Sequence, residues 1–187
     1  MKERLYYLLI FIMPLCTIHA QENLSKVDYK LGIGGGLMGL GDGLVMSIEN
    51  EVSYKFTPYI SASCFVNLGQ GGYIDNAKPL PNQSQGNYFL GGVNLLFSPF
   101  KNNKINNFKI GGGAGYYHGS NTYISQWDSK GNYVIDVVND RNIGFNIVIE
   151  NDYAINEKFL IGAKLYTNGV RSGANITGAL IRLGIML

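Results

Sequence analysis

The chain has 187 residues, a formal net charge of +2, 46% hydrophobic residues and 15% charged ones. That length suits a single domain, the apolar share excludes a disordered chain, and the near-neutral balance offers no basic surface for nucleic acid. Usage departs from the average in glycine, with 25 Gly, and 13 Tyr and 9 Phe stand against one Trp, a strand-rich and aromatic-rich composition.

Residues 1–20 read as a secretory signal peptide. Lys2 and Arg4 form the basic start, Leu5 to Leu15 the apolar core, and Ile18-His19-Ala20 a small-residue cleavage site before Gln21. The apolar run is too short to cross a bilayer as a helix. A lipoprotein signal built on Cys16 is the competing reading, but Pro14-Leu15 stands where such signals carry small residues. The signal takes two of 15 basic and one of 13 acidic side chains, leaving 13 and 12 in the mature chain. Cys64 is then the sole cysteine, on the apolar face of a strand, and reads as a small hydrophobe. Residues 21–26 form a short periplasmic lead, and 27–187 carry the fold.

Period-2 alternation marks the strands in order. Val27 to Leu37 sets Tyr29, Leu31 and Ile33 against Asp28, Lys30, Gly32, Gly34 and Gly36, and a glycine-rich turn follows. Leu44 to Phe56 sets Leu44, Met46, Ile48, Val52 and Tyr54 against Ser47, Glu49, Glu51, Ser53 and Lys55, up to the Thr57-Pro58 turn. Tyr59 to Leu68 is the third strand, and 69–87 reads as a long loop with Tyr73 in it. Tyr88 to Pro99 is the fourth and least regular, because Leu90 and Leu96 lie on its otherwise polar side. Phe108 to His118 is the fifth, and 119–142 reads as a second long loop holding Tyr123, Trp127 and Tyr133, although Tyr133 to Val138 is a candidate extension of strand six. Ile143 to Ile155 and Phe159 to Asn168 follow, joined by Asn156-Glu157-Lys158. The last strand, Thr177 to Leu187, puts Ala179, Ile181, Leu183, Ile185 and Leu187 on one face and Gly178, Leu180, Arg182, Gly184 and Met186 on the other.

Eight strands predict an all-β fold, an eight-stranded antiparallel up-and-down transmembrane β-barrel with both termini on one side. Alternation alone equally suits a soluble periplasmic ligand-binding barrel, which turns the apolar face inward. The glycines separate the two. Gly32, Gly34, Gly36, Gly111, Gly113, Gly115, Gly144, Gly162, Gly178 and Gly184 all share the polar face; facing solvent they would only weaken the strands, whereas inside a narrow barrel small residues are needed. The same face carries Asp28, Glu49, Glu51, Glu150 and Asp152 with Lys30, Lys55, Lys109, Lys164 and Arg182, five of each sign. The expectation is a lumen filled by an ion-pair network with Arg182 near its centre, and no wide pore. Aromatics at both strand ends, such as Tyr54, Phe97 and Tyr153 against Phe89, Tyr116 and Phe145, predict interfacial belts.

This layout, with the run Asn94 to Phe100 (Asn-Leu-Leu-Phe-Ser-Pro-Phe) and the strand-final apolar residue, resembles the small outer-membrane barrels of Gram-negative bacteria, the OmpA/OmpX-like "outer membrane protein β-barrel domain" family. Such chains often end on an aromatic residue read by the barrel-assembly machinery, and this one ends on Leu187. The resemblance implies location in the outer membrane and a structural or surface-interaction role. It also implies contact with outer-membrane lipid and lipopolysaccharide and dependence on the barrel-assembly machinery.

Two motifs are weighed against that reading. Gly34-x-Gly36-x-x-Gly39 spells the dinucleotide fingerprint but continues a strand into a turn instead of opening a helix. His118-Gly119-Ser120-Asn121 is similar to the His-x-Ser-Asn of the outer-membrane lipid A 3-O-deacylases, which implies an alternative role as an esterase using His118 and Ser120. In that family the motif stands near the chain end and leads to a Glu on the next strand. Here it ends strand five, and the acids after it are Asp128 and Asp136. No metal-ligand spacing and no cofactor motif is present. Tyr73, Tyr123, Trp127 and Tyr133 are candidates to bind an extracellular partner through the loops 69–87 and 119–142.

Overall fold

The computed structural model describes residues 26–39, 43–73, 85–100, 105–127, 133–170 and 175–187; the side chains of Tyr73, Gln85 and residues 121–136 lie outside that description. The expected signal peptide and most of the lead therefore lie outside the described residues. Eight strands follow one another: β1 (Val27–Met38), β2 (Gly43–Lys55), β3 (Ile60–Tyr73), β4 (Gln85–Phe97), β5 (Asn106–Trp127), β6 (Tyr133–Ala154), β7 (Phe159–Val170) and β8 (Ile176–Met186). Each pairs antiparallel with its sequence neighbours, and β8 pairs with β1 to close a barrel. Leu187 completes the seam, its N–H donating to the Val27 carbonyl at 2.8 Å.

The pairing is staggered. Stepping across the ladder from Asp28 through Ser53, Ser63, Asn94, Gly113, Asn146, Asn168 and Ile176 returns to β1 at Met38, ten residues beyond the start. That offset tilts the strands, and eight tilted strands enclose a space just wide enough for side chains.

Burial follows strand parity. In β2 the even-numbered residues are exposed and their odd-numbered neighbours, from Gly43 to Ser53, are buried. Leu31, Ile33, Met46, Ile48, Val93, Leu95, Ile147, Leu165, Ile181 and Leu183 are exposed large hydrophobics, while Lys30, Glu49, Lys109, Glu150 and Arg182 are at most 1% exposed. The polar face is thus the inner one.

One end of the barrel carries tight turns. Phe56 N–H donates to the Ile60 carbonyl (3.0 Å) while Thr57 Oγ1 accepts from Ile60 N–H (3.0 Å). At 155–158, Asn156 Oδ1 accepts from Lys158 and Phe159 N–H, both at 2.8 Å. Thr and Asn suit these positions because short side-chain acceptors satisfy the turn's free N–H groups.

The opposite end departs from the sequence expectation. β3 runs on to Tyr73, β4 begins at Gln85, and β5 and β6 pair as far as Trp127↔Tyr133, with a register shift between Ile124 and Gln126. Tyr73, Tyr123, Trp127 and Tyr133 therefore belong to strand ends and not to loops, and of the two expected loops residues 74–84 and 128–132 lie outside the described residues. β4 leaves β5 after Gly86↔Asn121 and β7 leaves β6 after Gly144↔Val170, so the β5–β6 hairpin continues beyond the barrel as a two-stranded ribbon. Alternation predicts strands only where the two faces meet unlike surroundings, and above the barrel rim they do not.

Inward-facing bulk is matched to glycine. Arg182 stands between Gly32 on β1 and Gly162 on β7; Tyr88 lies between Gly69 and Gly119, and Val45 between Gly36 and Gly71. A Cβ on Gly32 would sit 3.1 Å from Arg182 Cγ, and one on Gly178 2.7 Å from the Tyr166 hydroxyl. Other inward glycines allow close approach of backbone: a Cβ on Gly113 would meet the Val93 carbonyl and lie 2.8 Å from Asn94 Cα. Gly113→Val is expected to destabilise the barrel by about 2 kcal/mol or more, whereas Ala114→Val, facing outward, changes stability by less than about 0.5 kcal/mol. Urea unfolding of the refolded protein in micelles measures both.

Candidate functional site

The inner face of β1, β2, β5, β6, β7 and β8 brings eight ionisable side chains into one layer. Four are acids, Glu49, Glu51, Glu150 and Asp152, and four are bases, Lys30, Lys109, Lys164 and Arg182. Arg182 joins three strands: Nη1 donates to Glu51 (3.2 Å), and Nη2 to Glu150 (3.1 Å) and Asp152 (2.6 Å). Lys30 Nζ reaches Glu51 (3.0 Å), Glu150 (3.3 Å) and Asp152 (2.9 Å). Lys164 holds Glu49 (2.8 Å) and Glu51 (2.7 Å) and lies 4.8 Å from the Phe65 ring centroid. Lys109 binds Asp152 at 3.1 Å. Asp28 and Lys55, 2.9 Å apart, form a separate pair nearer the tight-turn end, where Lys55 is partly exposed.

Such a layer exists because neighbouring strands place opposite charges in register. Lys30 lies across from Glu51, and Lys109 and Lys164 both lie across from Glu150. Removal of a charge from water costs several kcal/mol, so the four positive and four negative groups are tolerable only together, each contacting opposite charge at ion-pair distance. Ser53 and Asn67 accompany it, donating to Glu51 (3.0 Å) and Glu49 (3.2 Å).

Above the ions the interior changes character. Tyr88 and Tyr117 stack with ring centroids 6.2 Å apart, and Met38, Val45, Leu90, Val148, Val170, Ile176 and Leu180 are buried with them. Amides thread between the two zones: Asn146 donates to Asn94 (3.2 Å) and Asn168 to Asn146, while Tyr88 donates to Asn67 (3.0 Å). A cavity of about 10 Å³ bordered by Glu49, Lys164, Asn146 and Tyr166 has room for a single water. Reading the inner face as glycine and charge overlooks this apolar and aromatic zone. Leu90, which disturbs the alternation of strand four, is its sequence trace, while Leu96, across from Ser61, is buried near the tight turns.

The fold is that of the small eight-stranded outer-membrane β-barrels. Ail of Yersinia pestis superposes with a TM-score of 0.58 at 11% identity, over 87% of this chain and 98% of that one. Neisserial surface protein A gives 0.57 at 11% identity over 86% and 96%, and OprG of Pseudomonas aeruginosa 0.53 at 11% over 89% and 96%. No protein-family model and no curated protein matches the sequence. At such identities the likeness is one of architecture.

The enzyme-like string lies on the outer face, near the ribbon. His118 and Ser120 both point outward from β5, opposite Arg141 and Asn139 of β6 and Phe89 and Asn87 of β4. His118 Nδ1 has no hydrogen-bond partner. No described hydrogen bond links His118 to Ser120, and the side chains of Asn121, Asp128 and Asp136 lie outside the described residues, as do those of the four candidate aromatics. Cys64 faces outward and is exposed.

Arg182→Met leaves Glu51, Glu150 and Asp152 short of their shared cation and is expected to cost about 3–5 kcal/mol. Adding Glu150→Gln recovers part of that loss, and a double-mutant cycle on unfolding free energies in micelles measures the coupling. Additive effects would mean that the two side chains act independently.

Proposed function

We propose that this chain is an integral outer-membrane barrel, exported by its amino-terminal signal, with a structural or surface-interaction role and an interior closed by charge. The observation that carries this reading is the polarity of the two faces. The outer wall presents a continuous band of exposed Leu, Ile, Val and Phe while fully buried lysines, glutamates and an arginine occupy the inside. In water, an apolar surface of that extent would drive association; in hydrocarbon it is solvated, and ring closure leaves every central strand hydrogen-bonded on both sides. A soluble ligand-binding barrel has the reverse arrangement.

The termini and tight turns belong on the periplasmic side in this reading, and the strand ends at Tyr73, Gln85, Trp127 and Tyr133 on the external side. Tyr29, Tyr54, Phe97 and Tyr153 then line the inner interface, and Phe89, Tyr116 and Phe145 the outer. The ion layer and the aromatic zone above it support a lumen without a wide pore. Assembly by the barrel-assembly machinery and contact with lipopolysaccharide follow from the location, and the strand ends around Tyr73, Tyr123, Trp127 and Tyr133 are the surface offered to an extracellular partner. A cation, Arg141, and not an acid is the directly paired neighbour of His118 on β6, which favours a non-enzymatic role over an esterase.

Unboiled protein from outer-membrane fractions is expected to migrate faster on a gel than boiled protein. A single position, with recovery in the soluble periplasm, would refute the membrane assignment. In planar bilayers the barrel is expected to pass no large solutes, and steady conductance of them would refute the closed lumen.

A further inference from the structure

We infer that His118 and Arg141 form a docking point for the phosphate of an outer-leaflet glycolipid. This rests on the membrane reading above and adds a ligand class and a place. Among the described strand residues the outward-facing positions carry one formal charge, Arg141. Its directly paired neighbour on β5 is His118, the sole histidine outside the expected signal peptide. Both side chains leave the barrel on the same side, since opposed residues of an antiparallel pair share a face. Ser120 and Asn139, also paired, lie one step further out with Asn87 beside Ser120. Among the described residues Arg141 has no ion pair, and Asp140, next to it in the chain, points to the other face, where it accepts from Asn142 at 2.5 Å. His118 Nδ1 is buried without a partner, which leaves Nε2 as the ring nitrogen that can meet a ligand.

The height of the pair fits a headgroup. Arg141 stands twelve residues up β6 from Tyr153, at the periplasmic aromatic level. At about 3.3 Å per residue and a tilt of about 40°, that is about 30 Å along the barrel axis, just past an apolar band about 25 Å tall. Ile143 and Tyr116, the next outward pair toward the membrane, are still exposed apolar and aromatic surface. A guanidinium there meets the layer in which lipid phosphates lie, with a planar donor fork suited to phosphate oxygens, an imidazole N–H beside it and hydroxyl and amide donors above. Protein partners would be met further out on the ribbon, and a free anion would gain nothing from the apolar wall below.

The test uses the full mature barrel in neutral detergent micelles, its unfolding midpoint read from unboiled gel mobility against temperature. Titrated bisphosphorylated lipid A is expected to raise the midpoint, while the same glycolipid stripped of phosphate, or inorganic phosphate alone, is not. Arg141→Ala is expected to weaken the apparent affinity at least tenfold, Arg141→Lys to restore most of it, and Lys158→Ala, at the opposite end, to leave it unchanged. An Arg141→Ala variant as responsive as the parent would overturn the proposal, as would an equal response to the dephosphorylated lipid. A response to inorganic phosphate alone would overturn it in favour of a free-anion site. Should Arg141→Ala lose its unboiled mobility without lipid, Arg141→Gln replaces it under the same criteria. Absence of heat-modifiable mobility in the parent would instead refute the membrane reading itself.

Discussion

The structure depends on the narrowness of an eight-strand ring. Side chains from all strands converge on one axis, so every inward residue must be compatible in size and charge with residues far away in sequence. Arg182 illustrates both demands: it needs Gly32 and Gly162 beside it for room, and Glu51, Glu150 and Asp152 across the lumen for charge. The barrel is stable through mutual dependence among these groups and not through any single contact, because an ion removed from water is tolerable only while its counter-ions remain.

Two kinds of filling divide the interior. Toward the tight turns it is ionic; toward the ribbon it is apolar and aromatic, with asparagines between them. The ionic zone is directional and specifies which strand faces which, since a one-residue slip would turn the whole set outward. The apolar zone seals the end from which water would otherwise reach the ions. Outside, the described strand residues carry no formal charge until Arg141, paired with His118, where charge first returns to the outer face at the foot of the projecting hairpin.

Much of this was legible in the chain. Strand parity in Thr177 to Leu187, the glycines on the polar side and the gathering of acids and bases on that same side all reflect a repeat of two residues between unlike surroundings. Where the surroundings become alike, the signal fails. Tyr123 and Trp127 read as loop because there the β5–β6 hairpin has left its barrel neighbours and no lumen sets one face apart from the other, and Leu90 reads as an irregularity because a plug of the barrel's own residues is apolar like the outside.

The sequence by itself determined the number of strands, the face each residue takes and the need for the inward charges to find partners, because these follow from local alternation and from the cost of burying an ion. Only the tertiary structure decided which charge meets which, how a ten-residue stagger sets Arg182 among three carboxylates, which glycine makes room for which side chain, and that Arg141 stands across from His118 on the outer wall. Those facts are set by register and closure, which couple residues across the whole ring and leave no trace in the spacing along any one strand.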